Sequence, residues 1–245
     1  MSTTNPLLRN HFYKASGVTY AGSMTLQGCI EKSLLLLMTV IGTAYFTFHQ
    51  GLQVLSFSRQ NVFFFSLLQV GIARLTSLNP ARARWTAFPY AFVQGIFFGN
   101  FLLPVSYYYT GLLEQAFVAT VTVFCATFLL FRTNLVPISK LHKVVSIGLL
   151  SLVGIYFYDL IASWFGYGGC AIIHSSSPLG IMFSFAVVVL AILFLLTDLE
   201  MIERWAEEEL PKEMEWYGAF ALMVTLVWLY VEILGLLMKL RGNRN

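Results

Sequence analysis

Apolar residues run along this chain in long unbroken blocks separated by short polar stretches, with no strict alternation. A helix needs roughly 20 apolar residues to cross about 30 Å of hydrocarbon at ~1.5 Å per residue. Seven blocks approach that length: 28–48, 61–78, 86–104, 115–131, 144–165, 178–198 and 216–238. The second is the weakest, because Arg59 and Gln60 precede it and Arg74 interrupts it near its end. Continuous runs argue against a membrane barrel, whose strands alternate over about ten residues. The pattern predicts an all-α polytopic membrane protein with a membrane domain over 28–240, a polar segment 1–27 before it and a short tail 241–245. The opening "MSTTNPLLRNHFYKASG" has no apolar core, so neither a signal peptide nor a lipidation site is expected there.

Composition strengthens this reading. Of 245 residues, 58% are hydrophobic and 11% charged, against about 25% charged in a soluble domain. A soluble helical protein would need polar residues along every helix to cover its outside, and they are missing. The formal charge of +3 is accounted for by short loops and calls for no nucleic-acid partner.

Those loops also suggest an orientation. Arg9 and Lys14 precede the first span, Arg74, Arg82 and Arg84 follow the second, and Arg132, Lys140 and Lys143 flank the link between the fourth and fifth. The alternate connections, 105–114 and 166–177, contain no lysine or arginine. By the positive-inside rule the N-terminus is expected in the cytoplasm. Lys239, Arg241 and Arg244 resist that scheme, since seven crossings put them outside. Either the last segment re-enters and returns, or these cations sit at the outer interface.

Chemistry is to be sought among polar residues inside the spans, because an ionised side chain at mid-bilayer costs roughly 2.5–3.5 kcal/mol on insertion scales. Three carboxylates qualify: Asp159, Asp198 and Glu232. On the last span, Gly218, Ala221, Thr225, Trp228, Glu232 and Gly235 share one face. Phe220, Val224, Val227, Val231, Leu234 and Met238 lie opposite. Small residues favour close helix approach and bulky apolar ones suit lipid, so Glu232 is expected to point inward. Asp198 shares a face with Gly180, Ser184, Val187 and Ala191 and is expected inward too. Asp159 lies toward the end of its span, where an interfacial role competes with a role in transport. In the third span, Gly95 and Gly99 of "GIFFG" have the small-xxx-small spacing of tight packing, and Gln94 beside them could donate to a neighbouring carboxylate.

The catalytic signatures are missing. No HExxH, GxSxG, P-loop or nucleotide-binding glycine fingerprint occurs, and Cys29, Cys125 and Cys170 have no zinc-ligand spacing. Neither an enzyme, a cofactor nor a bound metal is expected, and His174 reads as a loop residue. The acidic stretch "EMIERWAEEELPKEMEW" reads as a solvated helix extension and turn broken at Pro211.

Several blocks together carry a resemblance: "NPLLRNHFYKASG", "MTLQGCIEKSLLLLM", "YAFVQGIFFG", "LLFRTNLV", "SSPLGIMFSFAVVVLA", "LTDLEMIE" and "MEWYGAFALMVTLVWLYVEILGLL". Over nearly its whole length the chain resembles the Bax inhibitor-1/YccA family, on its bacterial YccA-like side. The resemblance implies a seven-helix bundle with the last helix central, in a bacterial inner membrane. It further implies an acidic pair, one residue on span six and one on the last span, acting as a proton-sensitive latch over a calcium leak path. Asp198 matches the first. Glu232 matches the second, where the pattern has aspartate. A latch arginine on the second span has Arg59 or Arg74 as candidates, and Gln94 stands where related sequences usually have an acid.

The latch has a physical basis. Two carboxylates within hydrogen-bonding distance in a poorly solvated core do not readily both ionise, and the pair shares a proton. Depth is the obstacle. If span six ends at Asp198 while the last span crosses from 216 to 238, the two carboxylates miss each other. Pairing then needs span six to continue through "LEMIERW", the last span to start later, or a re-entrant end. Two function classes follow: a pH-responsive leak channel or transporter for calcium or another cation, with lipid, protons and calcium as partners, or, as the resemblance to YccA implies, a non-conducting regulator that binds a membrane-bound ATP-dependent protease.

Overall fold

The computed structural model describes residues 22–49, 59–133, 138–167 and 169–243, and among them it is helical throughout, apart from turns and one isolated bridge between Ser23 and Pro211. Seven long helices form where the apolar blocks predict them: α1 (Leu26–His49), α2 (Arg59–Leu78), α3 (Ala83–Tyr108), α4 (Leu112–Arg132), α5 (Ile138–Trp164), α7 (Pro178–Glu207) and α8 (Met214–Gly242). A single 3-10 turn, Pro80–Arg82, leads into α3, and the short helix α6 (Ala171–His174) lies between α5 and α7.

Six of these elements are long and apolar enough to cross a membrane: Leu26–His49, Pro80–Tyr108, Leu112–Arg132, Leu141–Trp164, Pro178–Glu207 and Met214–Gly242. The second expected span differs. Its apolar part within the described residues, Phe64–Leu78, covers only about 22 Å at ~1.5 Å per residue. Met38, Leu150, Leu179 and Phe185 are among many large apolar side chains left exposed, a surface for lipid rather than water.

Local sequence explains how such helices tolerate their polar and irregular residues. The hydroxyls of Thr39, Thr43 and Thr47 each donate to a carbonyl one turn back, which satisfies them without leaving the helix. Ser177 caps α7 by accepting from the Gly180 amide at 3.2 Å, with Pro178 in the first turn. α3 carries Pro89 and Pro104 inside it, an arrangement that neighbouring helices support in membranes. Gly111 turns α3 into α4 with φ +74, a left-handed conformation glycine adopts without steric cost.

α8 contacts α1, α3, α4 and α7, and α1 packs most extensively on α3. Ring contacts of Phe88 with Trp216, Tyr90 with Phe220 and Phe98 with Tyr230 rise together along both helices, so α3 and α8 run parallel. α7 runs antiparallel to α8, as Phe194 meets Trp228 and Ser184 meets Lys239. The expected lipid face of α8 is therefore corrected in part: Phe220 and Leu234 are buried, because α8 has neighbours on more than one side.

The glycines of "GIFFG" meet their expectation. A Cβ on Gly95 would run into the Thr43 hydroxyl and come within 2.6 Å of the Val40 carbonyl, and one on Gly99 within 2.6 Å of the Ala44 carbonyl. α1 and α3 thus touch backbone to side chain, as small-xxx-small spacing permits.

Candidate functional site

Polar positions stand along α8 at Glu215, Thr225, Glu232, Lys239 and Arg241, with Thr225, Glu232 and Lys239 each seven residues apart. Seven residues are nearly two full turns, so these three lie close to one line about 10 Å apart in height. Each meets a different set of partners.

At the start of α8, Glu215 is only 1% exposed. Its carboxylate pairs with the Lys32 ammonium and accepts from the Thr25 amide at 3.0 Å and the Thr25 hydroxyl at 3.2 Å. Lys32 also lies over the Trp216 ring, a cation–π contact. Gly28 makes room for the carboxylate, since a Cβ there would collide with it. The backbone completes this clasp: the Met24 amide donates to the Leu210 carbonyl at 2.8 Å, and the Lys212 amide to the Gly22 carbonyl at 3.3 Å. The solvated reading of this acidic stretch is thus wrong at Glu215. A sequence signal existed: Lys32 lies near the start of the first apolar block and Glu215 immediately before the seventh, and alternation makes these two blocks parallel, which puts the two residues at the same end of the bundle.

Nearly three turns further in, Asp198 is 3% exposed and accepts from the Thr225 hydroxyl at 2.6 Å. Among the described residues no lysine, arginine or histidine forms an ion pair with it. α7 does continue past Asp198, to Glu207, one of the three routes by which Asp198 and Glu232 could pair. Continuation alone does not suffice. Asp198 is level with Thr225, and Glu232 is seven residues further along α8.

Glu232 is half-buried and accepts from the Tyr156 hydroxyl of α5 and the Trp228 indole, both at 2.9 Å. The paired latch is therefore corrected to two separate carboxylates with separate donors. The physical reason is register: the antiparallel crossing that sets Ser184 beside Lys239 puts the level of Glu232 near Ala191, two turns from Asp198.

Lys239 closes the column. Its ammonium donates to the Ser184 hydroxyl at 2.7 Å, the Gly180 carbonyl at 3.1 Å and the Ile172 carbonyl at 3.4 Å. Arg241 donates to the Thr110 carbonyl at 2.9 Å. These bonds hold the end of α8 at the connections that lack basic residues, and α8 is a continuous helix of 29 residues. It runs from one end of the bundle to the other without turning back.

The other expected residues are distributed more widely. Asp159 accepts from the Cys170 amide at 2.6 Å and from His174 Nε2 at 2.9 Å, so His174 holds the α5–α7 connection rather than standing free. Gln94 is buried, and its side-chain oxygen has no hydrogen-bond partner. It lies on the α3 face that carries Tyr90 and Phe98, across α8 from Asp198. Arg74 is exposed on α2, and the side chain of Arg59 lies outside the described residues. Gly218 is a packing position, where a Cβ would come within 3.0 Å of the Cys29 sulfur. Gly235 is not: a Cβ there meets nothing within 4 Å. At the other end of α5, His142 contacts Glu200, which also accepts from Arg204 at 3.1 Å.

A family model described as "Bax inhibitor 1 like" matches residues 5–242. No curated protein and no solved structure matches the chain.

Proposed function

As the chain belongs to the Bax inhibitor 1 like family, we propose that it is a pH-responsive cation leak protein in which Asp198 and Glu232 are two successive carboxylate stations beside α8. The observation that carries this reading is Asp198: a carboxylate 3% exposed, held by one hydroxyl and paired with no cation among the described residues. Charge in such a place costs on the order of 2.5–3.5 kcal/mol in a membrane. A proton removes that cost at low pH, and a cation offsets it at higher pH. Gain or loss of this charge is the pH-sensitive event.

Two carboxylates about 10 Å apart do not chelate one ion together. They favour a low-affinity passage from station to station, and their oxygen donors suit calcium over soft metals. In this reading α2 joins the six long apolar helices as the shortest of seven crossings, with α8 at the centre. The clasp of Glu215 and Lys32 faces the cytoplasm, and Lys239 the outside, of a YccA-like bacterial inner membrane protein.

Liposomes holding the purified protein, assayed for calcium flux between pH 6 and 8, test the proposal. Flux is expected to rise with pH and to fall at least several-fold in both Asp198→Asn and Glu232→Gln. Wild-type protein without flux at any pH would refute conduction.

A further inference from the structure

The partners of Lys239 are unusual for a lysine near the end of a membrane helix. Such lysines commonly extend to the headgroup region. Here the ammonium turns onto three oxygens: the Ser184 hydroxyl at 2.7 Å, the Gly180 carbonyl at 3.1 Å and the Ile172 carbonyl at 3.4 Å. Ser184 and Gly180 are buried, and no carboxylate is among the three.

The neighbouring backbone is shaped to bring these oxygens together. A Cβ on Gly180 would collide with the Ser175 carbonyl and come within 3.2 Å of the Ile172 carbonyl. Only a residue without a side chain lets the α6 turn approach the first turn of α7 this closely. The Ser175 hydroxyl is engaged with Ser177 at 2.8 Å, and Ser177 caps α7. Both ends of the α6–α7 link are thereby fixed, and Ile172 is held facing Lys239.

Neutral carbonyl and hydroxyl oxygens at such distances replace the hydration shell of a weakly hydrated monovalent cation. We propose that the Ile172, Gly180 and Ser184 oxygens form a monovalent-cation site that Lys239 fills with its own tethered ammonium. Because Lys239 stands two turns beyond Glu232 on the same face of α8, the tethered cation plugs one end of the carboxylate column. The plug rests on the reading of that column as a cation path; occupancy of the site does not. With the tether removed, the site takes free ammonium or potassium, whereas choline, bulky and without an N–H donor, does not fit.

The test uses Lys239→Met, which keeps an unbranched apolar stem and removes the ammonium. Melting of the purified full-length protein in detergent is followed in ammonium, potassium or choline chloride at equal ionic strength. Ammonium or potassium is expected to raise the melting temperature of Lys239→Met saturably, by about 2–4 °C over choline, and to shift the wild type by less than about 1 °C on the same scale. Adding Ser184→Ala to Lys239→Met is expected to raise the concentration needed by at least several-fold. Equal melting in all three salts, or an unchanged concentration in the double variant, would overturn the site. If Lys239→Met folds only when expressed and purified with ammonium or potassium present, that dependence is itself the expected rescue, and failure to fold in every salt overturns it.

Flux is read separately. Lys239→Met is expected to pass cations several-fold faster than a conducting wild type, and an unchanged rate overturns the plug. Rescue of melting without flux in any variant upholds the site and refutes the pathway reading alone.

Discussion

Separation of the two carboxylates has a consequence that a double-mutant cycle measures. Thr225→Val removes the hydroxyl that donates to Asp198 at 2.6 Å and keeps the side-chain shape. Leaving a buried acceptor without its donor costs about 1–3 kcal/mol. Tyr156→Phe removes one of the two donors to Glu232 and leaves Trp228 in place, a loss of about 0.5–1.5 kcal/mol. The two sites are about 10 Å apart along α8 and share no partner. Their effects are therefore expected to add, giving a double variant destabilised by about 1.5–4.5 kcal/mol with a coupling below about 0.5 kcal/mol. Were Asp198 and Glu232 to share a proton, both donors would support one network, and coupling would reach about 0.5–3 kcal/mol. Reversible unfolding of all four proteins in mixed detergent micelles reads the difference. A coupling above about 1 kcal/mol would refute the two-station geometry.

The same glycine substitution is expected to have opposite effects at two sites. Gly95→Ala forces α1 from α3 and costs about 1–3 kcal/mol, whereas Gly235→Ala, in open space within a helix, is neutral or stabilising by up to about 1 kcal/mol; thermal melting of both compares them directly. Lys32→Met leaves Glu215 buried without its cation and is expected to cost on the order of 3 kcal/mol, with Lys32→Arg losing less; equal melting of the Met variant and wild type would contradict a buried pair. His142→Ala, at a partly exposed pair with Glu200, is expected to lower stability by less than about 1 kcal/mol.

The positions of the helices were legible in the apolar blocks. Lipid leaves the backbone no other partner for its hydrogen bonds, so an apolar block marks where a helix runs and sets its least length. The blocks at 178–198 and 216–238 became α7 and α8, each extended by polar turns whose helix-compatible sequence continued the pattern. The small residues of "GIFFG" announced close packing because only a missing side chain permits it. The inward aim of Asp198 could be read from the face it shares with Gly180, Ser184 and Ala191, all buried.

Register and partnership came from the packing of helix on helix. A carboxylate's height in a bundle depends on how far one helix slides along its neighbour, and a slide of two turns preserves each helical face while exchanging nearly every contact. The block bounds 178–198 and 216–238 already set Asp198 and Glu232 at different depths, but a block end that is free to extend does not place Asp198 beside Thr225; packing does. The crossing is fixed along its length by further contacts: Ser184 with Lys239 toward one end, Ile202 against Gly218 toward the other. Glu215 was lost in an acidic stretch for the same reason, since its partners Thr25 and Lys32 lie almost 200 residues earlier. Lys239 and Arg241, which conflict with the loop charges in the sequence, find carbonyl oxygens as partners on distant segments. Periodicity records which side of a helix is buried; only packing of distant segments fixes which atoms meet there.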